Sequence, residues 1–331
     1  MNPVPVDIII PTLNRAAMLE TALRSALAQD YAHLRVIVSD NASSDATGEV
    51  CGRFAADPRL TYVRQAGTLP MYKHWSTVLE NHARAEWTLI LSDDDFLLDP
   101  GYISKAAALI AREPGLAMVH AGHETFFEAT GERKPEMRKL PEVSGGDWYF
   151  INYWAQAGSF RLMTVLFRRG AARGFTMFAE DGILGCDTMD FLRLALNGKV
   201  GFISTIAAGY RMHPGRESAG KPWRVYFENL RHITIPYDYA SLKGIFSQPE
   251  LEAWRWRIFA GYFFGILSAI AQKGDIRGYF SLMNATLERY RWFSRYLGKP
   301  RFIWRSGVLF LQCALAFVRG RALTSPPPPA G

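Results

Sequence analysis

Val-Asp-Ile-Ile-Ile-Pro-Thr-Leu-Asn-Arg, residues 6–15, contains the first apolar run of the chain. The β-branched residues between Val6 and Ile10 predict a strand that is buried on both faces of a sheet. Pro11 ends that run, and residues 15–29 then carry apolar side chains at helical spacing. A buried strand followed directly by an amphipathic helix is the repeating unit of an α/β fold.

The same alternation continues along the first two hundred residues. Apolar runs predict further strands at 34–39, 60–63, 87–91, 164–167 and 200–204. Helical spacing is found at 45–56, 71–84 and 187–196, and a polar stretch with Gly and Pro at 125–146 predicts a loop or hairpin insertion. This order predicts a mostly parallel central sheet with helices on both faces.

Polar side chains follow three of these strands at the point where each strand ends. They are Thr12, Asn14 and Arg15 after the first strand, Asp40 and Asn41 after the second, and Asp93, Asp94 and Asp95 after the fourth. In an open α/β sheet, ligands bind at the edge formed by the carboxyl ends of the strands. We therefore expect these residues to line one ligand site.

The aspartate triplet at 93–95 predicts a site for a divalent cation. Three neighbouring carboxylates repel one another, and Mg²⁺ or Mn²⁺ offsets that repulsion while bridging to substrate phosphates. A solvated acidic turn before Pro100 and Gly101 is the alternative. The position at a strand end, beside two other polar strand ends, favours the cation site.

At these positions the chain resembles the family-2 GT-A glycosyltransferases. The likeness lies in residues 6–15, in Val-Ile-Val-Ser-Asp-Asn-Ala-Ser-Ser-Asp at 36–45 and in Leu-Ile-Leu-Ser-Asp-Asp-Asp at 89–95. It continues with Cys-Asp-Thr-Met-Asp-Phe-Leu-Arg-Leu at 186–194 and Tyr-Arg-Met-His at 210–213. The resemblance implies a GT-A (Rossmann-like) fold, a UDP-, dTDP- or GDP-linked sugar as donor, and Mn²⁺ or Mg²⁺ as cofactor.

The resemblance also implies roles for individual residues. Those expected to bind the nucleotide are Pro11, Thr12, Leu13, Arg15, Asp40, Asp93 and Asp94, with Asp40 accepting a hydrogen bond from the base. The expected metal ligands are Asp95, Asp93 and His213, and the diphosphate is expected near Arg211, Arg216 and Lys73. Two of these residues have structural alternatives, because Asp40 could stabilise a turn and His213 could be a core histidine.

Asp187 is the expected catalytic base. Displacement at the anomeric carbon needs a carboxylate that takes the proton of the attacking hydroxyl, and one base opposite the leaving group implies inversion. The family usually has Glu before this Asp, whereas Cys186 stands here. A helix N-cap is the alternative for Asp187, and Asp190, one turn later, is the rival carboxylate.

The C-terminal part of the chain is basic and rich in aromatic residues. From Gly220 onward it has 16 Lys and Arg against 6 Asp and Glu, a net charge of +10, and the pattern is helical from about Trp223. We predict a catalytic domain at 1–220, a helical extension at 221–322 and a disordered Pro-rich tail at 323–331. The apolar runs 258–270 and 308–318 are shorter than the roughly 18–20 residues needed to span a bilayer.

Two clusters in this extension, Trp254-Arg-Trp-Arg257 and residues 290–305, combine aromatic and basic side chains. Amphipathic core helices with Arg on the wet face would account for them. Contact with an anionic membrane surface is the other interpretation, and it would bring the protein to a lipid-linked acceptor. No nucleic-acid partner is expected.

Cysteine content and the N-terminus bear on location. Cys51, Cys186 and Cys313 are far apart and lack metal-ligand spacing, which favours a reducing compartment. The first seven residues lack the basic flank and apolar stretch of a signal peptide. We expect a cytoplasmic protein, peripheral on the inner face of the cytoplasmic membrane.

These features together predict an inverting, metal-dependent glycosyltransferase that adds one sugar to a glycan or lipid-linked acceptor in cell-surface polysaccharide or lipopolysaccharide assembly. The Gln-x-x-Arg-Trp element of processive synthases is not evident, which favours one sugar per event. A nucleotidyltransferase is an alternative, although the chain lacks a Gly-rich loop after the first strand. A catalytically silent nucleotide-sugar-binding or scaffold protein is another, and the intact Asp95 and Asp187 argue against it.

Overall fold

The computed structural model describes residues 3–217 and 220–324. Its strands are, in chain order, β1 (Val6–Thr12), β2 (Leu34–Asp40), β3 (Leu60–Arg64), β4 (Trp87–Ile90), β5 (Phe96–Leu97), β6 (Leu116–Phe127), β7 (Glu132–Glu136), β8 (Val143–Gly145), β9 (Leu166–Arg168) and β10 (Lys199–Met212). Its α-helices are α1 (Ala16–Leu27), α2 (Thr47–Arg53), α3 (Met71–Asn81), α4 (Tyr102–Arg112), α5 (Gly146–Ile151), α6 (Cys186–Ala195), α7 (Trp223–Glu228), α8 (Arg231–Lys243), α9 (Gln248–Gln272), α10 (Ile276–Arg289), α11 (Ser294–Leu297) and α12 (Pro300–Thr324).

The strands form one mixed sheet in the order β3-β2-β1-β4-β9-β6-β10-β5, with β7 beside β6 and β8 beside β10. Strands β1 to β4 run parallel to their neighbours within that group, and so do β6 and β10. The short strands β5, β7, β8 and β9 pair antiparallel. The α/β sheet expected from the sequence is therefore present, and the predicted insertion is the hairpin of β6 and β7.

Strand β1 lies between β2 and β4, and every residue in it is buried. In the register of β1 and β2, Thr12 stands opposite Asp40. On the other side, the Leu91 N–H donates to the Ile9 carbonyl at 2.9 Å, so the chain after β4 leaves the sheet beside the end of β1. Parallel pairing thus brings the three polar strand ends to one edge, as expected.

Strand β10 is much longer than the run at 200–204 that predicted it. It continues to Met212 and pairs in parallel with β6, where Tyr210 stands opposite Thr125. The pairing contains register shifts between Ile203 and Ala208. The second half of β10 carries the Tyr210-Arg211 element, and pairing with β6 rather than local apolar pattern makes it a strand.

The chain divides into two compact units. The first contains the sheet together with Ile235–Leu251, where the Tyr239 hydroxyl donates to the Arg173 carbonyl at 2.8 Å. The second contains Gly220–Thr234 and the chain from Glu252 onward. The sequence-based limits at 220 and 322 stay predictions. Helix α12 ends at Thr324, and the rest of the predicted tail, 325–331, lies outside the described residues.

The second unit has an aromatic core of its own. Trp254, Phe259, Phe263 and Phe293 are almost fully buried. Trp256 stacks on Tyr296 with 3.7 Å between the ring centroids. Trp254 and Trp256 are therefore part of this core, as in the first of the two interpretations given above. Arg257 is exposed, whereas Arg255 is buried.

Helix α12 corrects one expectation. Within the described residues, one helical stretch, Pro300–Arg319, is long and apolar enough to cross a membrane by length and composition alone. The apolar run 308–318 is only the middle of this helix. The expectation based on that run therefore underestimated the length of the apolar segment. Only 11% of this apolar stretch is buried.

Candidate active site

The aspartate triplet is held by residues from the end of β1. The Thr12 hydroxyl donates to Asp93 Oδ2 at 2.8 Å, and Arg15 Nη1 lies 3.0 Å from both Asp93 Oδ1 and Asp94 Oδ2. Burial raises the pKa of Asp93 to about 6, while the Arg15 charge opposes that rise. The positive charge of Arg15 thus offsets part of the repulsion between the carboxylates of the triplet.

The loops that follow β1 and β2 brace each other. Asn14 donates its backbone N–H to Ser43 Oγ at 2.9 Å, and its side-chain oxygen accepts the Ser44 N–H at 2.7 Å. Asp45 Oδ2 accepts the Ala16 N–H at 2.9 Å, at the start of α1. Asn14 has a φ of 53°, a left-handed conformation that Asn adopts more readily than most residues. These bonds explain why short polar residues occupy both loops.

Asp40 is fully buried, and protein donors occupy its carboxylate. Oδ1 accepts the Ser43 N–H at 2.7 Å, while Oδ2 accepts the Tyr62 hydroxyl at 2.6 Å and Arg64 Nη1 at 2.7 Å. These hydrogen bonds hold the pKa of Asp40 below its usual value despite burial, which acts in the opposite direction. Tyr62 and Arg64 are the exposed groups here, so a nucleotide base at this end of β2 would contact these two side chains before Asp40.

Asp95 is positioned by β10. The backbone N–H of Arg211 donates to Asp95 Oδ1 at 2.9 Å, and no residue in the described part of the chain donates to Oδ2. Burial is the main reason that the pKa of Asp95 lies well above its usual value, and the neighbouring Asp94 raises it further. Asp95 therefore offers one carboxylate oxygen that the protein does not use.

The side chains of the Tyr210-Arg-Met-His213 element brace the triplet. Arg211 Nε donates to the Asp94 backbone carbonyl at 3.0 Å, and its Nη1 lies 3.1 Å from Glu128. His213 Nε2 lies 3.1 Å from Asp94 Oδ2. Because a carboxylate only accepts, Nε2 carries the proton in this contact. Arg216 donates from Nε to the His213 carbonyl at 3.0 Å, which holds the segment after β10.

Asp187 and Asp190 lie one turn apart on α6 in different surroundings. Asp190 is completely buried, accepts the Phe178 N–H at 2.5 Å and forms an ion pair with Arg193, so it is used inside the fold. Asp187 lies in the first turn of α6 and is partly exposed. Burial raises its pKa, while the Thr188 N–H and the charge of Arg161 act against that rise. Of the two, Asp187 is the carboxylate available to a substrate.

Comparison with known proteins adds the family. The model of glycosyl transferase family 2 matches residues 7–172, half of the chain. This chain belongs to glycosyl transferase family 2.

Individual relatives agree with this assignment. Over 158 residues the chain is 28% identical to the GalNAc(5)-diNAcBac-PP-undecaprenol β-1,3-glucosyltransferase of Campylobacter jejuni, which is 45% of this chain and 48% of that protein. Over 90 residues it is 30% identical to the glycosyltransferase GlyA of Streptococcus pneumoniae, which is 27% of this chain and 13% of that protein. The matches thus span less than half the length of these curated relatives.

Solved structures show the fold. Residues 1–349 of TarS from S. aureus, in complex with UDP-GlcNAc, superpose with a TM-score of 0.58 at 14% identity, covering 96% of this chain and 92% of that one. The mannosyltransferase PcManGT from Pyrobaculum calidifontis, in complex with GDP-Man and Mn²⁺, superposes with a TM-score of 0.54 at 18% identity, covering 98% and 89%. The GT-A fold and the C-terminal helical region expected from the sequence are confirmed.

The remaining expected site residues differ in exposure. Pro11 is buried at the end of β1, and Leu13, directly after the strand, is 37% exposed. Lys73 is exposed on α3, whereas its neighbour His74 is buried and lies 2.7 Å from Ser39 Oγ. His74 therefore supports the end of β2, and the expected place of Lys73 near the diphosphate stays a prediction.

The residues present fit a divalent cation whose coordination would be completed by phosphate oxygens of a ligand. In the part of the chain that the structure describes, no three His, Cys, Asp or Glu side chains converge as a complete metal site. Mg²⁺ commonly binds through one or two carboxylates together with substrate phosphates. The unused oxygen of Asp95 suits that arrangement, whereas Asp93 already has both oxygens bound by Thr12 and Arg15.

Sequence reasoning did not single out Arg161, whose guanidinium carbon lies 5.0 Å from the centre of the Tyr210 ring. It lies in the segment between α5 and β9, outside every motif quoted above, and its charge acts on both Asp95 and Asp187. No signal in the sequence marks it, because only the fold brings this segment beside the triplet and α6.

Proposed function

We propose that this glycosyltransferase moves a single sugar from a nucleoside diphosphate sugar to an acceptor hydroxyl, with inversion at the anomeric carbon. The observation that carries the proposal is the pair of carboxylates that the protein leaves available, Asp95 Oδ2 and the partly exposed Asp187. We infer that the two groups share one site, because the Arg161 guanidinium stacks on Tyr210, next to the Arg211 that binds Asp95, and its charge also acts on Asp187.

In the proposed reaction, Asp187 acts on the acceptor. Its carboxylate takes the proton of the acceptor hydroxyl as that oxygen attacks the anomeric carbon. The bond between this carbon and the diphosphate oxygen breaks, and the nucleoside diphosphate leaves on the opposite face. Asp95 would hold Mg²⁺ or Mn²⁺, which stabilises negative charge on the leaving diphosphate when bound. Thr12 and Arg15 keep Asp93 and Asp94 in place beside it.

We assign the acceptor to the lipid-linked class, in cell-surface glycan assembly. The name of the Campylobacter jejuni relative describes an undecaprenol-linked acceptor. In α12, an apolar stripe at alternating spacings of four and three residues is exposed to solvent; its members are Trp304, Val308, Leu311, Leu315 and Val318. We call this set the α12 stripe.

We propose that the α12 stripe lies on an anionic membrane surface, because positive charge surrounds it. Arg301 and Arg305 lie beside the stripe in the first turns of the helix and are exposed. The chain from Gly220 onward carries a net charge of +10. Aromatic and aliphatic residues on one face with basic residues beside them are the composition of helices that lie on anionic lipid. This placement would hold the enzyme where lipid-linked acceptors are found.

Binding of nucleoside diphosphates tests the catalytic proposal. UDP, GDP, dTDP and CDP are titrated by calorimetry with and without Mn²⁺, using wild type, Asp95→Ala and the exposed control Asp30→Ala. We expect one nucleotide to bind only with Mn²⁺, and its affinity to fall about 10- to 100-fold in Asp95→Ala but not in the control. Absence of binding by all four would contradict the proposal. NMR of the product then tests inversion, because an α-linked donor should give a β-linked product.

A further inference from the structure

Arg161 is held in place by two neighbouring strands. Its Nε donates to Nε2 of His123, on β6, at 3.3 Å, and its guanidinium carbon lies 5.0 Å from the centre of the Tyr210 ring on β10. Burial and the Arg161 charge lower the pKa of His123 to about 4, although Glu136 Oε1, 3.5 Å from the same Nε2, acts in the opposite direction. This histidine is therefore neutral near pH 7, and its Nε2 can accept from Arg161. The guanidinium is therefore oriented rather than free to rotate.

Tyr210 and Tyr153 show where Arg161 lies relative to Asp95 and Asp187. Tyr210 precedes Arg211, whose N–H binds Asp95 Oδ1 at 2.9 Å. The buried Tyr153 interacts with Thr188, in the first turn of α6, and with the charges of Arg161 and Asp187. Phe160, the residue before Arg161, stacks on Tyr153 with 5.6 Å between the ring centroids and meets Phe191 of α6 edge-on at 6.0 Å, so this segment also lies beside α6. Arg161 therefore lies between Asp95, where the diphosphate is proposed to bind, and Asp187, where the acceptor hydroxyl is proposed to bind.

The two terminal amino groups of Arg161 have no partner among the described residues. Its contacts with His123 and Tyr210 use Nε and the face of the guanidinium, so Nη1 and Nη2 keep up to four N–H donors. The side chain is half-buried. Oriented donors in a half-buried position, next to two available carboxylates, are what a ligand rich in oxygen atoms requires.

We propose that Arg161 binds the sugar of the donor, with Nη1 and Nη2 donating hydrogen bonds to the oxygen atoms of that sugar. This inference rests on the function proposed above and adds the residue that recognises the transferred group. The diphosphate lies on the Asp95 side of the sugar and the acceptor on the Asp187 side. Arg161 then discriminates a nucleoside diphosphate that carries a sugar from one that does not.

The experiment compares two ligands on the same variants. Wild type, Arg161→Gln and Arg161→Lys are titrated in Mn²⁺ with the nucleoside diphosphate that wild type binds, and with UDP-glucose, UDP-GlcNAc or GDP-Man carrying the same base. Arg168→Gln, a half-buried arginine on β9, is the matched control. We expect Arg161→Gln to weaken nucleotide-sugar binding about 10-fold or more and to leave the diphosphate within about twofold, with Arg161→Lys between them. Arg168→Gln should change neither.

The outcomes separate this inference from the proposed function. Unchanged nucleotide-sugar affinity in Arg161→Gln would overturn the inference, and so would equal weakening of both ligands, which would place Arg161 on the phosphates. Failure of wild type to bind any diphosphate would instead contradict the proposed function. Thermal unfolding of each variant shows whether it is folded, and Arg161→Lys keeps the charge if the glutamine variant is not.

Discussion

The hydroxyl of Thr12 donates a 2.8 Å hydrogen bond to Asp93, which is 81 positions away in the chain. Both residues are buried, one at the end of β1 and the other just after β4. The bond therefore joins the ends of two adjacent parallel strands and fixes the first carboxylate of the triplet. It also explains why a threonine, directly after Pro11, is the last residue of β1.

The first prediction concerns this bond. Thr12→Val keeps the shape of the side chain but leaves Asp93 Oδ2 buried without its donor, so the free energy of unfolding should fall by about 1–3 kcal/mol. Urea unfolding measures the change. Thr12→Ser retains a hydroxyl and should stay close to wild type. Equal stability of the valine and serine variants would mean that the hydrogen bond contributes nothing.

The second prediction separates the two aspartates of α6. Asp187→Asn should lower kcat about 100- to 10,000-fold while donor binding persists, because the acceptor proton then has no base. Asp190→Asn should instead reduce the free energy of unfolding by about 3 kcal/mol or more, because it breaks a buried ion pair with Arg193. Steady-state kinetics and denaturant unfolding on both variants test the assignment. The reverse pattern would make Asp190 the base.

The third prediction concerns pH. Transfer should decline as pH falls through the pKa of Asp187, because the protonated carboxyl cannot accept a proton. Burial places that pKa above the usual aspartate value, and the Arg161 cation lowers it. The charge of Arg161 acts on Asp187 itself, and Asp187 in turn raises the pKa of Asp190, which is paired with Arg193. Arg161→Gln should therefore shift the acidic limb of the kcat/KM profile to higher pH, and a shift to lower pH would contradict this account.

The fourth prediction concerns the α12 stripe. Trp304 and Leu311 are 70% and 62% exposed, so replacing both with Glu should abolish sedimentation with phosphatidylglycerol vesicles while the protein stays folded. Binding of wild type should weaken as salt is added. Leu242→Glu is the matched control, because Leu242 is 88% exposed on α8, outside the stripe. Equal sedimentation of wild type and the double variant would refute the membrane assignment.

Local pattern accounts for most of what could be predicted. The β-branched run at Val6–Ile10 and the helical spacing after Arg15 reflect backbone geometry and burial within a few residues, so β1 and α1 were found near their observed limits. Parallel strands share an edge at their carboxyl ends, which was enough to expect Thr12, Asp40 and the triplet together. The extent of β10 was not predictable in this way, because its second half is a strand through pairing with β6.

By itself the sequence determined the α/β class and the edge of the sheet where polar residues gather, because these follow from local periodicity and from residues close together in the chain. Its motifs also carried the resemblance to a glycosyltransferase family. Only the tertiary structure decided which carboxylates remain available. Asp40 is occupied by Tyr62 and Arg64, and Asp190 by Arg193, whereas Asp95 keeps a free oxygen. Only the tertiary structure brings Arg161 beside Asp95 and Asp187. The physical reason is that hydrogen-bond partners and burial come from residues far apart in sequence.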